Sequence, residues 1–452
     1  MANFIVRRES AIVGLLFFLA PFMTLVAPLT TVPAIILLAG VSIGVALIHG
    51  QNLTELFRFD RGLALFAVVT VYLLINASWS LDLPRALNKV LWFGLVVAMT
   101  FAASRALCRW SERQMRLAAT AFLVAMTAGL VFISYELATR QDFMRHLYNW
   151  LPAIRPDSFK TVRLQAGKVV AIAAFELNRN VAVTLLMLWP ALLCLSRLTN
   201  GRRRAVALAA LFVATAAVVF CSEHETSMLG LAAGTIVFVT AWLWPRTVRV
   251  GMLTIWCLAF VVIIPLSSEL AKEGVQQVPW LPYSARSRIT LWAYTAQKIP
   301  DAPLLGIGLT STRKQSADRS SPRREEPLAE GDRGGRPLVW KTGPHSHNEF
   351  LQTWYELGAV GAILLLGAGC AVIAYIGGLP PALQPFMLAQ FVGFFAMAAF
   401  SWGMWQSWLM ALTGLAALYG AMAVRFAGAA LPVADTLARA ARPPLASPER
   451  AA

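Results

Sequence analysis

The chain is a succession of long apolar runs parted by short polar breaks. The runs are residues 11–27, 32–49, 63–78, 90–104, 117–137, 180–195, 206–221, 229–244, 252–266, 349–376, 387–400 and 408–426. Most approach the roughly twenty residues that carry a helix across a hydrocarbon core. A transmembrane barrel would instead show segments of about ten residues with alternating polarity. Lipid offers no partner for a backbone amide, so each span must pair its own backbone as a helix. The pattern predicts an all-α polytopic membrane protein with roughly twelve transmembrane helices. The least sharply bounded runs are the first pair, parted only around Pro28, and the one after Asn180. The chain divides into spans one to nine (1–266), a large polar segment with short helices and a flap (267–348), spans ten to twelve (349–428) and a tail (429–452).

Composition agrees. Hydrophobic residues make up 58% and charged residues 14%, against about 45–50% and about 25% in soluble domains. One soluble domain is excluded. Arg7 and Arg8, Arg58 and Arg61, Arg105, Arg109, Arg113 and Arg116, Arg202, Arg203 and Arg204, Arg246 and Arg249, and Arg439 and Arg442 all fall on one side of this pattern. The positive-inside tendency makes that side the cytoplasm and puts 267–347 outside. The first run has no convincing small-residue cleavage site, so it reads as a retained span.

The formal net charge of +16 adds a second feature. Outer segments carry Arg140, Arg145, Arg155, Lys160, Arg163, Lys168 and Arg179 after span five. Lys272, Arg286, Arg288, Lys298, Arg313, Lys314, Arg319, Arg323, Arg324, Arg333, Arg336 and Lys341 lie in the long segment. Long loops cross regardless of charge, so a solvated surface is one reading. An external anion is the other, because guanidinium pairs bidentately with phosphate. Anionic lipids suit the charge better than nucleic acid, for which no motif is present. Cys108, Cys194, Cys221, Cys257 and Cys370 form neither a disulfide framework nor a CxxC site. The outer segments lack aspartate pairs at chelating spacing, so nothing calls for a metal. No nucleotide-binding glycine loop and no repeat point to a cofactor or an array.

The chemistry concentrates in the long segment. Pro344-His345-Ser346-His347-Asn348-Glu349 meets an apolar run, with Glu356-Leu357-Gly358 inside it. Histidine exchanges a proton near neutral pH. Upstream, Ser284 or Ser287 can cap a helix that places Arg288 and Trp292 on one face. Gly306 and Gly308 mark a turn after Pro303, and 311–336 reads as a mobile flap. Trp292 and Trp354 read first as interface anchors. Glu349 and Glu356 read as orienting or packing groups. Asn52 and Asn76 match the glycosylation triplet by chance.

These residues carry a resemblance. Arg288-x-x-x-Trp292, then Pro303-Leu304-Leu305-Gly306-x-Gly308, then His347-Asn348-x-x-Leu351-Gln352 with Glu356-x-Gly358, resemble the O-antigen ligase and Wzy-type polymerase superfamily, most nearly its ligases. Asn178-Arg179-Asn180 is similar to an arginine position of that family. Ser222-Glu223-His224-Glu225-Thr226-Ser227 departs from the family's Ser-Arg-Gly-like turn and receives no role.

The resemblance implies a GT-C-like glycosyltransferase in a bacterial inner membrane, with its site facing the periplasm. The donor would be O-antigen on undecaprenyl pyrophosphate, and the acceptor the lipid A–core oligosaccharide. His347 is the candidate base, and Arg288 and Arg179 the candidate pyrophosphate ligands. Arg286, His345, Asn348, Lys168 and Arg163 are candidate substrate contacts. The residues support such chemistry independently: arginines can hold a departing pyrophosphate, and a sugar hydroxyl needs a base. A repeat-unit polymerase or a protein O-oligosaccharyltransferase would share the motifs. A transporter would show inverted repeats and midplane charges.

Overall fold

The computed structural model describes residues 2–156, 161–317 and 343–428, the side chains of 2–9 excepted. Lys160, Arg319, Arg323, Arg324, Arg333, Arg336, Lys341, Arg439 and Arg442 lie outside the described residues, as does most of the expected flap. The flap's first residues, Ser311–Ala317, form a short helix.

The helices in chain order are α1 (Ala2–Val26), α2 (Thr31–Ile48), α3 (Leu53–Leu56), α4 (Arg61–Ala77), α5 (Leu83–Leu107), α6 (Glu112–Ala138), α7 (Asp142–Trp150) and α8 (Asn178–Leu198). They continue with α9 (Gly201–Phe220), α10 (Glu225–Leu243), α11 (Pro245–Lys272), α12 (Tyr283–Lys298), α13 (Ser311–Ala317), α14 (Glu349–Gly377), α15 (Gln384–Phe400) and α16 (Ser407–Gly428). Among the described residues nine helices are long and apolar enough to cross a membrane: α2, α5, α6, α8, α9, α10, α11, α14 and α16. Shorter apolar helices lie at Ser10–Val26, Arg61–Ala77 and Gln384–Phe400. The chain is a multi-pass, mostly helical membrane protein. One addition to the expected class is an antiparallel hairpin of β1 (Val162–Gln165) and β2 (Lys168–Ile172). Asn149 holds it, donating to Val169 O at 3.1 Å and accepting from Val169 N at 2.7 Å.

The run after Asn180 is weakly bounded in sequence because α8 is buried all round. Every residue from Val181 to Leu188 has 0% exposure. A helix without a polar face belongs in a core, and α8 packs against α6, α9, α15 and α16.

Polar contacts separate the two ends of the bundle. At one end, short-loop arginines reach helix C-termini and a carboxylate: Arg105 pairs with Asp60 at 2.6 Å and donates to Leu56 O at 2.8 Å. Arg249 donates to Gly377 O at 3.1 Å and Arg425 to Cys108 O at 3.2 Å. Cations at helix C-termini gain from the macrodipole. At the opposite end, Asn180 Nδ2 donates to Leu25 O at 2.7 Å, and Ser80 Oγ to Leu309 O at 2.6 Å. The candidate chemistry all lies at this second end.

Candidate active site at one end of the bundle

The site rests on a latch between the turn 303–309 and α14. Gly358, at φ 64° and ψ −165°, breaks α14 and frees backbone groups near the break. Ile307 N then donates to Tyr355 O at 3.0 Å and Gly308 N to Glu356 O at 3.0 Å; Ala359 N returns a bond to Pro303 O at 2.9 Å. A Cβ on Gly306 would lie 2.3 Å from the Glu356 carbonyl carbon, and one on Gly358 2.4 Å from that of Leu304. Only glycine permits this approach at positive φ. Asn76 fastens the turn, donating to Leu305 O at 2.8 Å and accepting from Leu309 N at 2.7 Å. The Asn76 side chain of the glycosylation triplet is therefore buried structure. The Glu356 carboxylate accepts from Thr310 N (3.2 Å), Thr312 N (3.1 Å) and Trp405 Nε1 (2.6 Å), which fits the orienting role.

The histidine segment hangs from the start of α14. Asn348 is the N-cap: its Oδ1 accepts from Leu351 N at 3.0 Å and its Nδ2 donates to Ala399 O at 3.1 Å. Capping fills one of the free amides of the first turn. His347 stands just before it at φ 55°, an uncommon conformation without glycine. Its Nδ1 lies 2.8 Å from Ser401 O. A carbonyl oxygen only accepts, so Nδ1 carries the proton and Nε2 keeps its lone pair. His345 has the opposite tautomer. Its Nδ1 accepts from His347 N at 3.3 Å, which leaves the proton on Nε2. The two rings sit 4.0 Å apart.

Burial holds these imidazoles neutral, helped by Arg288. His347 is pushed down to about 4, with the Ser401 carbonyl opposing. His345 falls to about 3 through burial, then His347, Arg313 and Arg288. His224 also falls to about 3, through burial and then Arg288. Burial lowers Arg288 itself from its usual value, and Glu225 opposes that shift. Among the described residues Arg288 makes no ion pair or hydrogen bond. It is a half-buried cation facing neutral rings, and an incoming anion would complete it.

Other expected residues are placed as follows. Arg179 lies 5.8 Å over the Trp408 ring and 3.6 Å from Glu176, with its buried Nε unpartnered. Trp408, Trp402 and His224 continue from it as a row of ring contacts at 5.0 and 4.9 Å. Among the described residues Arg286 Nε is likewise buried without a partner. Arg163 and Lys168 are exposed on the β-hairpin, and no contact joins them to the histidines among the described residues. Some local expectations change. Neither Ser284 nor Ser287 caps α12, which starts after Pro282; Ser284 Oγ donates instead to Glu225 Oε2 at 2.7 Å. Trp292, 8% exposed, packs on Phe400, and Trp354 Nε1 donates to Phe260 O at 3.0 Å, so both are packing residues rather than interface anchors.

His224, Ser401 and Trp402 have no role in the sequence reading, yet they stand in the same cluster. His224 Nδ1 is 2.6 Å from Ser227 Oγ, and its Nε2 is 3.5 Å from Ser401 Oγ. The one available signal was a histidine at the mouth of a span. The segment bearing Ser401 and Trp402 carries no titratable side chain to draw notice. Among the described residues no three His, Cys, Asp or Glu side chains cluster as metal ligands would.

Residues 210–366, which include His224, Arg288, the glycine latch and both site histidines, match the O-antigen ligase family. Three relatives bear the name "Putative polysaccharide ligase". That of Rickettsia conorii is 27% identical over 248 residues, covering 53% of this chain and 55% of the relative. That of Rickettsia felis is 26% identical over 52% of this chain and 55% of its own. That of Rickettsia prowazekii is 26% identical over the same shares. The chain spans about half the length of these relatives.

Proposed function

We propose, for a chain whose residues 210–366 match the O-antigen ligase family, that it transfers O-antigen from undecaprenyl pyrophosphate to lipid A–core oligosaccharide. The reaction takes place at the periplasmic face of the bacterial inner membrane, in a twelve-span, GT-C-like bundle. One observation carries this reading. Among the described residues, a half-buried Arg288 that makes no ion pair or hydrogen bond sits beside a neutral His347 whose Nε2 is unprotonated and free of protein partners.

The acceptor hydroxyl attacks the donor's anomeric carbon. The new bond runs from hydroxyl oxygen to that carbon, and the bond to the pyrophosphate oxygen breaks. The hydroxyl proton passes to His347 Nε2, whose Nδ1–H stays on Ser401 O and keeps the ring aimed. Undecaprenyl pyrophosphate leaves with the bond's electrons, and Arg288 and Arg179 stabilise that charge. Arg286 adds donors at the leaving group. His345 and Asn348 hold the base: His345 through the His347 amide and Asn348 through the α14 cap. Arg163 and Lys168 engage the glycan or anionic headgroups further out. The guanidinium groups of Arg288, Arg179 and Arg286 supply the positive charge at the leaving group, so the reaction needs no divalent ion. Ligation by purified protein should persist in excess chelator, and loss that magnesium restores would overturn this point.

The deciding experiment is the lipopolysaccharide profile of a deletion strain. Loss of all O-antigen, with polymer accumulating on the lipid carrier, is expected. A core bearing a single repeat would identify a polymerase instead. An unchanged profile would remove both.

A further inference from the structure

A cavity of about 110 Å³ opens beside His345, lined by Arg85, Lys89, Arg313, Gln352, Glu356 and Trp405 among others. Three cations reach it from two elements: Arg85 and Lys89 from α5, and Arg313 from α13. Among the described residues neither Lys89 nor Arg313 pairs with a carboxylate. Lys89 Nζ donates only to Ser407 Oγ, at 2.7 Å, and Arg85 has a loose contact with Asp82 at 3.6 Å. The one carboxylate in the wall, Glu356, already accepts three N–H donors from the protein. His345 adds a donor, because its Nδ1 is occupied by the His347 amide and its proton lies on Nε2. The wall therefore holds an excess of donors and positive charge, with its acceptor committed.

We propose that this cavity is a second anion subsite, which takes a phosphoryl group on a saccharide while Arg288 and Arg179 hold the leaving pyrophosphate. Converging guanidinium and ammonium groups in a recess suit a phosphate oxygen set. His345 and His347 then divide the work by tautomer. One presents a proton to the anion, and the other presents a lone pair to the hydroxyl. Naming the saccharide as a substrate rests on the transferase reading above. The anion site itself does not.

Two sources could supply the group: a phosphate carried by the acceptor, or a phosphoryl group of the donor. The test begins with purified full-length protein and glucose 1-phosphate as probe, with glucose as neutral control. The wild type should bind the phosphate and ignore glucose. Lys89→Gln and Arg313→Gln should each weaken binding about tenfold, the size of one lost charge-assisted hydrogen bond. Arg313 is exposed, so its variant folds even if the Lys89 variant does not. Ligation kinetics then separate the sources. A raised KM for acceptor alone in Arg313→Gln assigns the acceptor's phosphate, and a raised KM for donor alone assigns the donor's. Glucose 1-phosphate binding that is absent in the wild type, or unchanged in folded variants, overturns the subsite. Failure of ligation with intact probe binding counts against the transferase reading and leaves the subsite standing.

Discussion

In the proposed reaction His347 is the base, because Ser401 O holds its Nδ1 proton and leaves Nε2 to accept one. His347→Ala should lower ligation about a hundredfold or more, the usual size of a general-base contribution. His345→Ala should lose much less. The pH profile follows from the neutral ring. With His347 pushed down to about 4, the base form is complete at neutral pH. The rate should stay level as pH falls through 6.5 and drop only near about 4. A midpoint near the ordinary histidine value would mean that some other group limits the rate. The stability sign is the same. An unfolded histidine binds a proton near 6.5 and these folded ones do not, so acid favours the unfolded chain. The thermal midpoint should fall as pH drops below about 6.5 toward the folded values. At Arg288, lysine keeps the charge but loses the fork. Arg288→Lys should retain part of the activity, and Arg288→Ala should lose about a hundredfold or more. Full ligation by the alanine variant would remove Arg288 from the site.

At the scale of elements, the site depends on a broken helix and a turn that plugs the break. Gly358→Ala and Gly306→Ala would each drive a Cβ into backbone at under 2.5 Å, in a conformation that costs a residue with a Cβ of order 1–3 kcal/mol. Both should release the turn 303–309, seen as faster proteolysis of the 273–317 region and loss of activity, with membrane insertion unchanged. Asn76→Ala removes bonds to Leu305 O and Leu309 N and should act in the same direction. A variant with normal proteolysis and normal rate would show that the latch is not needed. His224 belongs to this scale too. It reaches Ser401, whose carbonyl orients His347, so His224→Ala should lower kcat more than it changes KM.

For the whole molecule, the separation of the two ends makes topology testable. Ala166 is exposed in the hairpin turn at the site end, and Cys108 is exposed at the arginine-rich end. In spheroplasts, a cysteine at 166 should react with a membrane-impermeant thiol reagent, and Cys108 only after lysis. The reverse result would turn the bundle over and put the histidines in the cytoplasm.

The sequence by itself determined the multi-pass helical membrane class and the apolar helices in order. It could do so because burial in lipid is written as run length, which is local. It also picked out Arg288, His345, His347 and the glycines 306, 308 and 358, which cluster within one stretch of chain. Tertiary structure decided the rest. His347's tautomer depends on Ser401, 54 positions away in sequence, and Asn76's role on a turn more than two hundred positions away. His224 joins the site only because α10 begins beside the loop that bears Ser401. Arg85 and Lys89, which the sequence analysis does not single out, share a cavity wall with Arg313 and His345 only in the folded bundle. A hydrogen bond between distant segments leaves no period and no spacing in the chain, so only the packed bundle could reveal which side chains share a proton or a wall.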